Sequence, residues 1–387
     1  MIDFVRTITS RLPLRSRRNG ADDPARVRYA VVGLGYISQS AVLPAFAHAK
    51  GNSELTALVS DSRVKLRELG QQYDVGLQFS YDEYDDLCAS GAIDAVYIAL
   101  PNSMHREYTE RAARHGVHVL CEKPMAVTAE DCRAMIHAAE SNGVKLMVAY
   151  RLHFEPANLE AALIARRRTL GDVRIFNSVF TMQVKAGDIR LKRSLGGGSL
   201  YDIGIYCINA ARMIFRAEPI EAFATAGNSG EARFAEVDEM VAATLRYPGD
   251  RLATFVTSFG AADSSRYQFI GTKGHLALDP AYEIGETLVH HQTSDGRTRK
   301  RRFFKRDQFA PELEYFSDCV LNDKAPEPSA LEGLADVQII QALLTSTKTR
   351  RPVRLHLRGD APPQPSQAMY KRPVRRQKLV AVSVPHQ

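Results

Sequence analysis

Between Arg28 and Tyr150 the chain alternates short β-rich runs with amphipathic helical segments, a rhythm that few folds accept. YAVVG (29–33) leads into ISQSAVLPAFAHA, LTALVS (55–60) into SRVKLRELGQQY, IDAVYIAL (93–100) into NSMHREYTERAARHG and VHVL (117–120) into TAEDCRAMIHAAESNG; KLMVAY (145–150) closes the series. Strands that read as continuous apolar runs must be covered on both faces, which means a parallel sheet between helices. A shorter strand near Leu77 to Phe79 completes about six. The expectation is a doubly wound nucleotide-binding sheet, with every strand's C-terminal end on one ligand-facing edge.

After Tyr150 the rhythm changes. A helix over Ala157 to Arg168 is followed, from 173 to 291, by mostly β-patterned runs: VRIFNSVFTMQV, IEAFATAG, MVAATLRY, LATFVTSF, RYQFIG and HLALD. One GGG-initiated helix, Ser199 to Phe215, interrupts them, and PELEYFSDCVLN and ALEGLADVQIIQALLTSTKTR close the fold near Arg354. Strands following strands predict an α+β domain with an open-faced, mostly antiparallel sheet. The organisation expected is an N-terminal arm (1–27), a dinucleotide-binding Rossmann domain (28–150), a substrate-binding and oligomerisation domain (151–355) and a basic, Pro-containing tail (356–387). The open face needs cover, so a homodimer or homotetramer through this sheet is expected.

Composition enters where it excludes partners. The chain carries a net +7, but seven Arg against three Asp in residues 1–28, and five Lys or Arg with no acid in 361–387, leave the body between slightly acidic. Basicity therefore belongs to the tails, which read as extended arm or disorder, and nucleic acid is not the expected partner. The internal run RTRKRRFFKR (297–306) reads as a solvated strand pair or a subunit edge, with a polyanion site as the alternative. No apolar run is long enough to span a bilayer, and the Arg-rich N-terminus lacks the apolar core of a secretory signal; a transit peptide is the other reading of that stretch. Cys88, Cys121, Cys132, Cys207 and Cys319 are scattered and lack metal-ligand spacing, so no metal is expected and a reducing cytoplasm fits.

Six stretches carry chemistry. Gly33-Leu34-Gly35-Tyr36-Ile37-Ser38 forms the first strand-to-helix turn, where glycines let backbone amides approach a pyrophosphate; Ser38 replaces the usual third Gly or Ala. At the tip of the second strand Ser60, with Arg63 and Lys65 behind it, leaves room and charge for a 2′-phosphate and favours NADP, while Asp61 keeps NAD open. Leu100, Pro101, Asn102 and His105 follow the fourth strand, and Glu122 and Lys123 (CEKPMA, 121–126) follow the fifth, all at the ligand edge. YRLHFEP (150–156) brings Tyr150, Arg151 and His153 to the junction between domains, where substrates commonly bind. GGGSLYDIGIY (196–206) sets Asp202 and Tyr206 four apart on one helix face. A phenol and a carboxylate side by side, with a lysine available to stabilise the phenolate, can act as an acid/base relay.

In GLGYIS, ALPNSMH, CEKPMA, YRLHFEP, GGGSLYDIGIY and GTKG (271–274) the sequence resembles the glucose-fructose oxidoreductase and inositol dehydrogenase family, over about residues 28 to 355. The resemblance implies a Rossmann domain with an open-faced mixed sheet and matches Lys123 to the family's catalytic Glu-Lys-Pro lysine. It matches Asp202 and Tyr206 to an Asp-x-x-x-His/Tyr pair, with Tyr where inositol dehydrogenases carry His. That departure, like Ser60 and Lys65, points to the glucose-fructose oxidoreductase branch and to NADP. Exported members of that branch carry a twin-arginine signal, absent here, and an N-terminal arm that embraces a neighbouring subunit. The expected activity is hydride transfer between a cyclic sugar or polyol, for instance at C1 of an aldopyranose, and a nicotinamide, with Tyr206 taking the hydroxyl proton and Lys123 and Asp202 in support. The alternative is a non-catalytic dinucleotide sensor of the same fold.

Overall fold

The computed structural model describes residues 25–357, 377–382 and 384. Residues 1–24 of the arm expected over 1–27 and most of the tail expected over 356–387 lie outside them, and Val27, expected to end the arm, already begins the first strand. Six strands, β1 (Val27–Val32), β2 (Ser53–Val59), β3 (Leu77–Phe79), β4 (Ala95–Ile98), β5 (His118–Glu122) and β6 (Leu146–Ala149), form one parallel sheet in the order β3-β2-β1-β4-β5-β6. The order reverses between β1 and β4, which opens a crevice beyond their C-terminal ends.

The links between these strands are α1 (Leu43–Ala45), α2 (Arg63–Tyr73), α3 (Tyr84–Ala89), α4 (His105–Arg114) and α5 (Ala129–Ser141). The first of them is not the regular helix that ISQSAVLPAFAHA predicts: a π-helical turn, Ser38–Val42, precedes α1. Pro44 has no N–H to give to the preceding turn, which disfavours the regular ladder at that point. α2 and α5 begin as their sequences require, with the Ser62 hydroxyl accepting the Lys65 N–H and the Thr128 hydroxyl accepting the Asp131 N–H.

The second half begins with α6 (Pro156–Arg166) and β7 (Val173–Thr181), then α7 (Ile205–Phe215), itself preceded by a π-helical segment, Leu200–Gly204. β8 (Glu221–Gly227), β9 (Met240–Tyr247), β10 (Arg251–Ser258), β11 (Ser264–Gly271), β12 (Gly274–Leu278), β13 (Leu288–Ser294) and β14 (Arg297–Phe303) follow. α8 (Phe309–Leu321), α9 (Ala330–Thr349) and β15 (Val353–Arg354) complete it. The sheet has nine strands in the order β14-β13-β12-β11-β7-β10-β9-β8-β15, antiparallel except where β7 meets β10. Its strands alternate buried and exposed residues: Ala253 and Phe255 of β10 are buried, while Leu252 and Val256 stand exposed. The basic run forms β14, the outermost strand on that side, with its side chains in solvent.

Packing crosses the expected division of the chain in several places, two of them outside the cleft. Phe309, Leu313 and Phe316 of α8 pack under the first sheet against Tyr29, Val31 and Tyr97, and Tyr29 and Ser317 share a hydrogen bond of 2.8 Å. Residues 377–382, expected as free tail, return to the first half: Val380 is buried, and its N–H and C=O both bond the Gln39 side chain, at 2.6 and 3.0 Å. No helix among the described residues is long and apolar enough to cross a membrane.

Two buried histidines link strands to their surroundings. His118 accepts the Lys145 N–H at 2.9 Å, and His290 donates to the Ala157 carbonyl at 2.9 Å. Burial lowers both imidazoles to about 4. A folded-state value below the unfolded 6.5 means that the unfolded chain takes up protons first, so the stability these rings contribute is complete above pH 6.5 and is lost as pH falls toward 4. Each contributes a slope of about 1.4 kcal/mol per pH unit in that window. Urea midpoints between pH 7 and 4.5 are therefore expected to fall less steeply in a His118→Asn, His290→Asn variant than in the parent; equal slopes would show that the rings are not held neutral.

Candidate active site

A cleft of about 460 Å³ opens beyond the ends of β1 and β4 and runs to the helix-covered side of the second sheet. Its lining begins with Gly33, Gly35, Tyr36 and Ile37. Gly33 has φ +91°, and a Cβ there would meet the Ala99 carbonyl oxygen at 2.6 Å, so only glycine fits. Gly35 has open space where a Cβ would be, which leaves its backbone approachable. Ser38 is buried and its hydroxyl donates to the Gly33 carbonyl at 2.5 Å; the unusual third position thus braces the turn from within.

Ser60 and Lys65 line the same end, and burial lowers the Lys65 ammonium. Asp61 does not line the cleft: its carboxylate accepts the Tyr81 N–H at 3.1 Å. Arg63, the first residue of α2, is exposed and also stands outside the lining. Leu100, Pro101 and Asn102 form the wall beyond β4, and the Asn102 amide donates to the Gly196 carbonyl at 2.8 Å, joining the two halves.

Glu122 closes β5 as a buried residue of the strand. Its carboxyl accepts the Tyr97 hydroxyl at 2.9 Å and the Lys123 N–H at 3.2 Å, and burial pushes it upward. The strand end thereby aims Lys123 across the cleft, where its ammonium donates to the Asp202 carbonyl at 2.8 Å and to Asp202 Oδ1 at 3.2 Å. The same ammonium lies 4.7 Å from the centroid of the Tyr206 ring. Its bonds go to the aspartate and its charge faces the ring, whereas the phenol oxygen accepts a hydrogen bond from Arg151 Nε at 3.1 Å. Phe180 and Tyr282 pack against Tyr206 and complete an aromatic wall.

Asp202 has a second cationic partner that the sequence reading missed. Arg190 Nε donates to Asp202 Oδ2 at 2.7 Å, so each carboxylate oxygen is held by a different cation. Burial alone would raise this carboxyl, but Arg190 and Lys123 outweigh it and hold it well below the usual carboxylate range. For Lys123, burial opposes the charge, yet Tyr206, Asp202 and Glu122 together raise the ammonium. Asp202 stays ionised with both oxygens engaged by cations and is a poor proton acceptor; the Tyr206 hydroxyl lines the cleft beside it. Arg190 lies twelve residues before Asp202 in a single 3-10 turn, Ile189–Leu191, and no spacing or periodicity marks it.

Three expected site residues face elsewhere. His105 is fully buried beneath the cleft, with its ring nitrogens 2.9 Å from the Leu100 carbonyl and 3.0 Å from that of Pro124, so it braces the two loops that form the wall. Tyr150 turns into the second half, where its hydroxyl donates to Asp336 at 2.5 Å. His153, also fully buried, donates to Asn209 at 2.9 Å and lies 3.3 Å from Glu332. In both cases a buried polar network satisfies the side chain away from the cleft. Of YRLHFEP, Arg151 alone lines it among the three.

Known proteins resemble this chain along nearly their whole length. Residues 27–150 match the model of an oxidoreductase family with an NAD-binding Rossmann fold, and residues 159–277 match the GFO/IDH/MocA C-terminal domain. The chain is 32% identical over 346 residues to a D-xylose 1-dehydrogenase [NADP(+)] of Haloarcula marismortui, covering 87% of this chain and 95% of that one. Among solved structures, the aldose-aldose oxidoreductase of Caulobacter crescentus complexed with glycerol superposes with a TM-score of 0.82 at 36% identity, over 85% of this chain and 100% of that one. A 3-ketoreductase of Actinomadura kijaniata, solved with NADP and TDP-benzene, follows at TM-score 0.76 and 26% identity, over 83% and 98% of the two chains. Matched in both halves and nearly end to end by such relatives, the chain belongs to the Gfo/Idh/MocA family of oxidoreductases.

Proposed function

We propose that this protein is an NADP-dependent dehydrogenase of a cyclic sugar or polyol, acting at a ring hydroxyl such as that on C1 of an aldopyranose. The observation that carries the reading is the contact of Lys123 with Asp202 and with the Tyr206 ring, in one cleft that begins at a glycine turn. The D-xylose dehydrogenase and aldose-aldose oxidoreductase relatives support the substrate class.

The cleft suits NADP. Amides of the turn from Gly33 to Ile37 would hold the pyrophosphate, and Ser60 and Lys65 the 2′-phosphate, with Asp61 turned away. Arg63, exposed on the first turn of the adjacent helix, adds positive charge at that end. Leu100, Pro101, Asn102 and Glu122 would flank the nicotinamide half. When bound, NADP supplies the hydride acceptor. The protein's own groups then manage one proton. The sugar ring rests on the aromatic wall of Phe180, Tyr206 and Tyr282, and its hydroxyl gives its proton to the Tyr206 oxygen as the C–O bond becomes a carbonyl. Lys123 supplies positive charge at the ring face, and Asp202, pinned by Arg190, keeps the ammonium in place. A filled Lys123, Asp202 and Tyr206 set is more than a non-catalytic sensor requires.

We also propose that the open face bearing Ile175, Met240, Leu252 and Val256 pairs copies of the chain. Light scattering at micromolar concentration is expected to give a dimer or tetramer, and a monomer would contradict this.

Tyr206→Phe and Lys123→Ala are each expected to lower kcat on the best aldose by about a hundredfold or more, with NADP affinity within about threefold of the parent. Parental turnover in both variants sinks the assignment. Lys65→Ala is expected to weaken NADP binding by roughly ten- to a hundredfold while leaving NAD binding nearly unchanged, as the loss of a charge-assisted bond to the 2′-phosphate requires. Calorimetric titration with the two nucleotides reads the difference directly.

A further inference from the structure

Arg151 is a buried cation whose side-chain bonds all go to neutral groups. Its guanidinium donates to the Tyr206 oxygen at 3.1 Å, to Gln308 Oε1 at 2.6 Å and to the Tyr282 carbonyl, and its carbon lies 4.9 Å from the centroid of the Tyr206 ring. It is 5% exposed, and it takes part in no ion pair among the described residues. A buried guanidinium without a counter-ion is costly, and such an arrangement persists where an anion forms beside it. The carboxyls electrostatically nearest do not fill that part. Glu122, Glu155 and Glu312 all feel Arg151, but burial pushes each of them upward, toward the neutral form. Of the three groups that Arg151 bonds, Tyr206 alone can become an anion.

We propose that Arg151 is a positioning residue whose guanidinium is the standing counter-charge for the phenolate of Tyr206, and is not a ligand of the sugar. The inference rests on Tyr206 as the proton acceptor proposed above. In the oxidation direction the sugar O–H bond breaks and a Tyr206 O–H bond forms, while the C–H electron pair leaves with its hydrogen to the nicotinamide. Arg151 and Lys123 therefore face a phenolate before the step and a neutral phenol after it. Their division of labour is geometric: Lys123 addresses the ring face and Asp202, and Arg151 addresses the oxygen. Gln308 and the Tyr282 carbonyl fix the fork so that Nε remains aimed at that oxygen. The charged or titratable groups around the phenol are Lys123 from the end of β5, Arg151 from the turn after β6, Asp202 one turn earlier with its partner Arg190, Tyr282 from the loop after β12, and Glu122, Glu155 and Glu312 behind the guanidinium. None of the carboxyls is hydrogen-bonded to the phenol, so removing the Arg151 charge disfavours the phenolate.

The test compares the parent with Arg151→Gln and Arg151→Lys in the NADP-loaded protein, by two readouts. The first follows the 13Cζ-tyrosine resonance that disappears in Tyr206→Phe, as a function of pH. In Arg151→Gln its midpoint is expected to lie at least about one pH unit above the parent's, and in Arg151→Lys between the two, whether or not any sugar is turned over. The second is the pH profile of kcat/KM on an oxidised aldose: its rising limb is expected to move upward by the same interval, with kcat reduced and NADP affinity within about threefold of the parent. Unchanged midpoints, or a raised KM with kcat and profile intact, would make Arg151 a sugar ligand and overturn the proposal. A parent that oxidises no sugar but shows the displaced tyrosine midpoint in Arg151→Gln would retain the counter-charge and refute the dehydrogenase reading alone. If Arg151→Gln does not fold, Arg151→Lys carries the comparison, with a displacement expected in the same direction and an unmoved midpoint overturning it.

Discussion

The ammonium of Lys123 is held by two oxygens of Asp202, and the two residues reach the contact from different halves of the chain, one from the end of β5 and the other from the helical segment before α7. Such an arrangement is demanding, because both charges are largely withdrawn from water and either one alone would be expensive to bury. It is stable here because Arg190 grips the other carboxylate oxygen and because the Tyr206 ring offers its electron-rich face to the ammonium. The ionised state of Asp202 and the placement of the ammonium against the Tyr206 ring follow from this one cluster.

The cluster in turn dictates how the surrounding chain is used. β5 must end in a buried Glu122, bonded by Tyr97 and by the Lys123 amide, for the next side chain to cross the cleft. α8 must return beneath the first sheet, since Gln308 at its start holds the guanidinium of Arg151 against the phenol. His105, tied to the Leu100 and Pro124 carbonyls, keeps the loops after β4 and β5 together. The polar groups nearest the cleft thus divide between those that face it and those that hold the facing groups still.

Legibility from sequence followed the same division. The inner strands of the parallel sheet were readable because strands buried on both faces leave apolar runs, and the exposed edge strand Leu77–Phe79 was read from its place in the alternation. The glycine turn and the approach of Lys123, Asp202 and Tyr206 were readable because each lies at a strand end or on one face of a helix. Arg190 was not, since a loop residue that meets its partner only through tertiary structure leaves no periodic trace. His105, Tyr150 and His153 misled for the opposite reason: chemistry-bearing residue types beside a cleft-lining residue look alike in sequence, and only burial separates a brace from a group that faces the cleft. The docking of 377–382 on Gln39 was equally hidden, because an extended segment held through its backbone shows little in its side chains.

The account depends on a substrate oxygen meeting the phenol of Tyr206 in the space that Lys123 and Asp202 enclose. The most direct measurement is a crystal structure of the protein with NADP and a bound, slowly reacting sugar. The account predicts the reacting hydroxyl at about 3 Å from the Tyr206 oxygen, with the carbon that bears it facing the nicotinamide. A sugar whose reacting hydroxyl sits on another group, with the Tyr206 oxygen remote from it, would contradict the account.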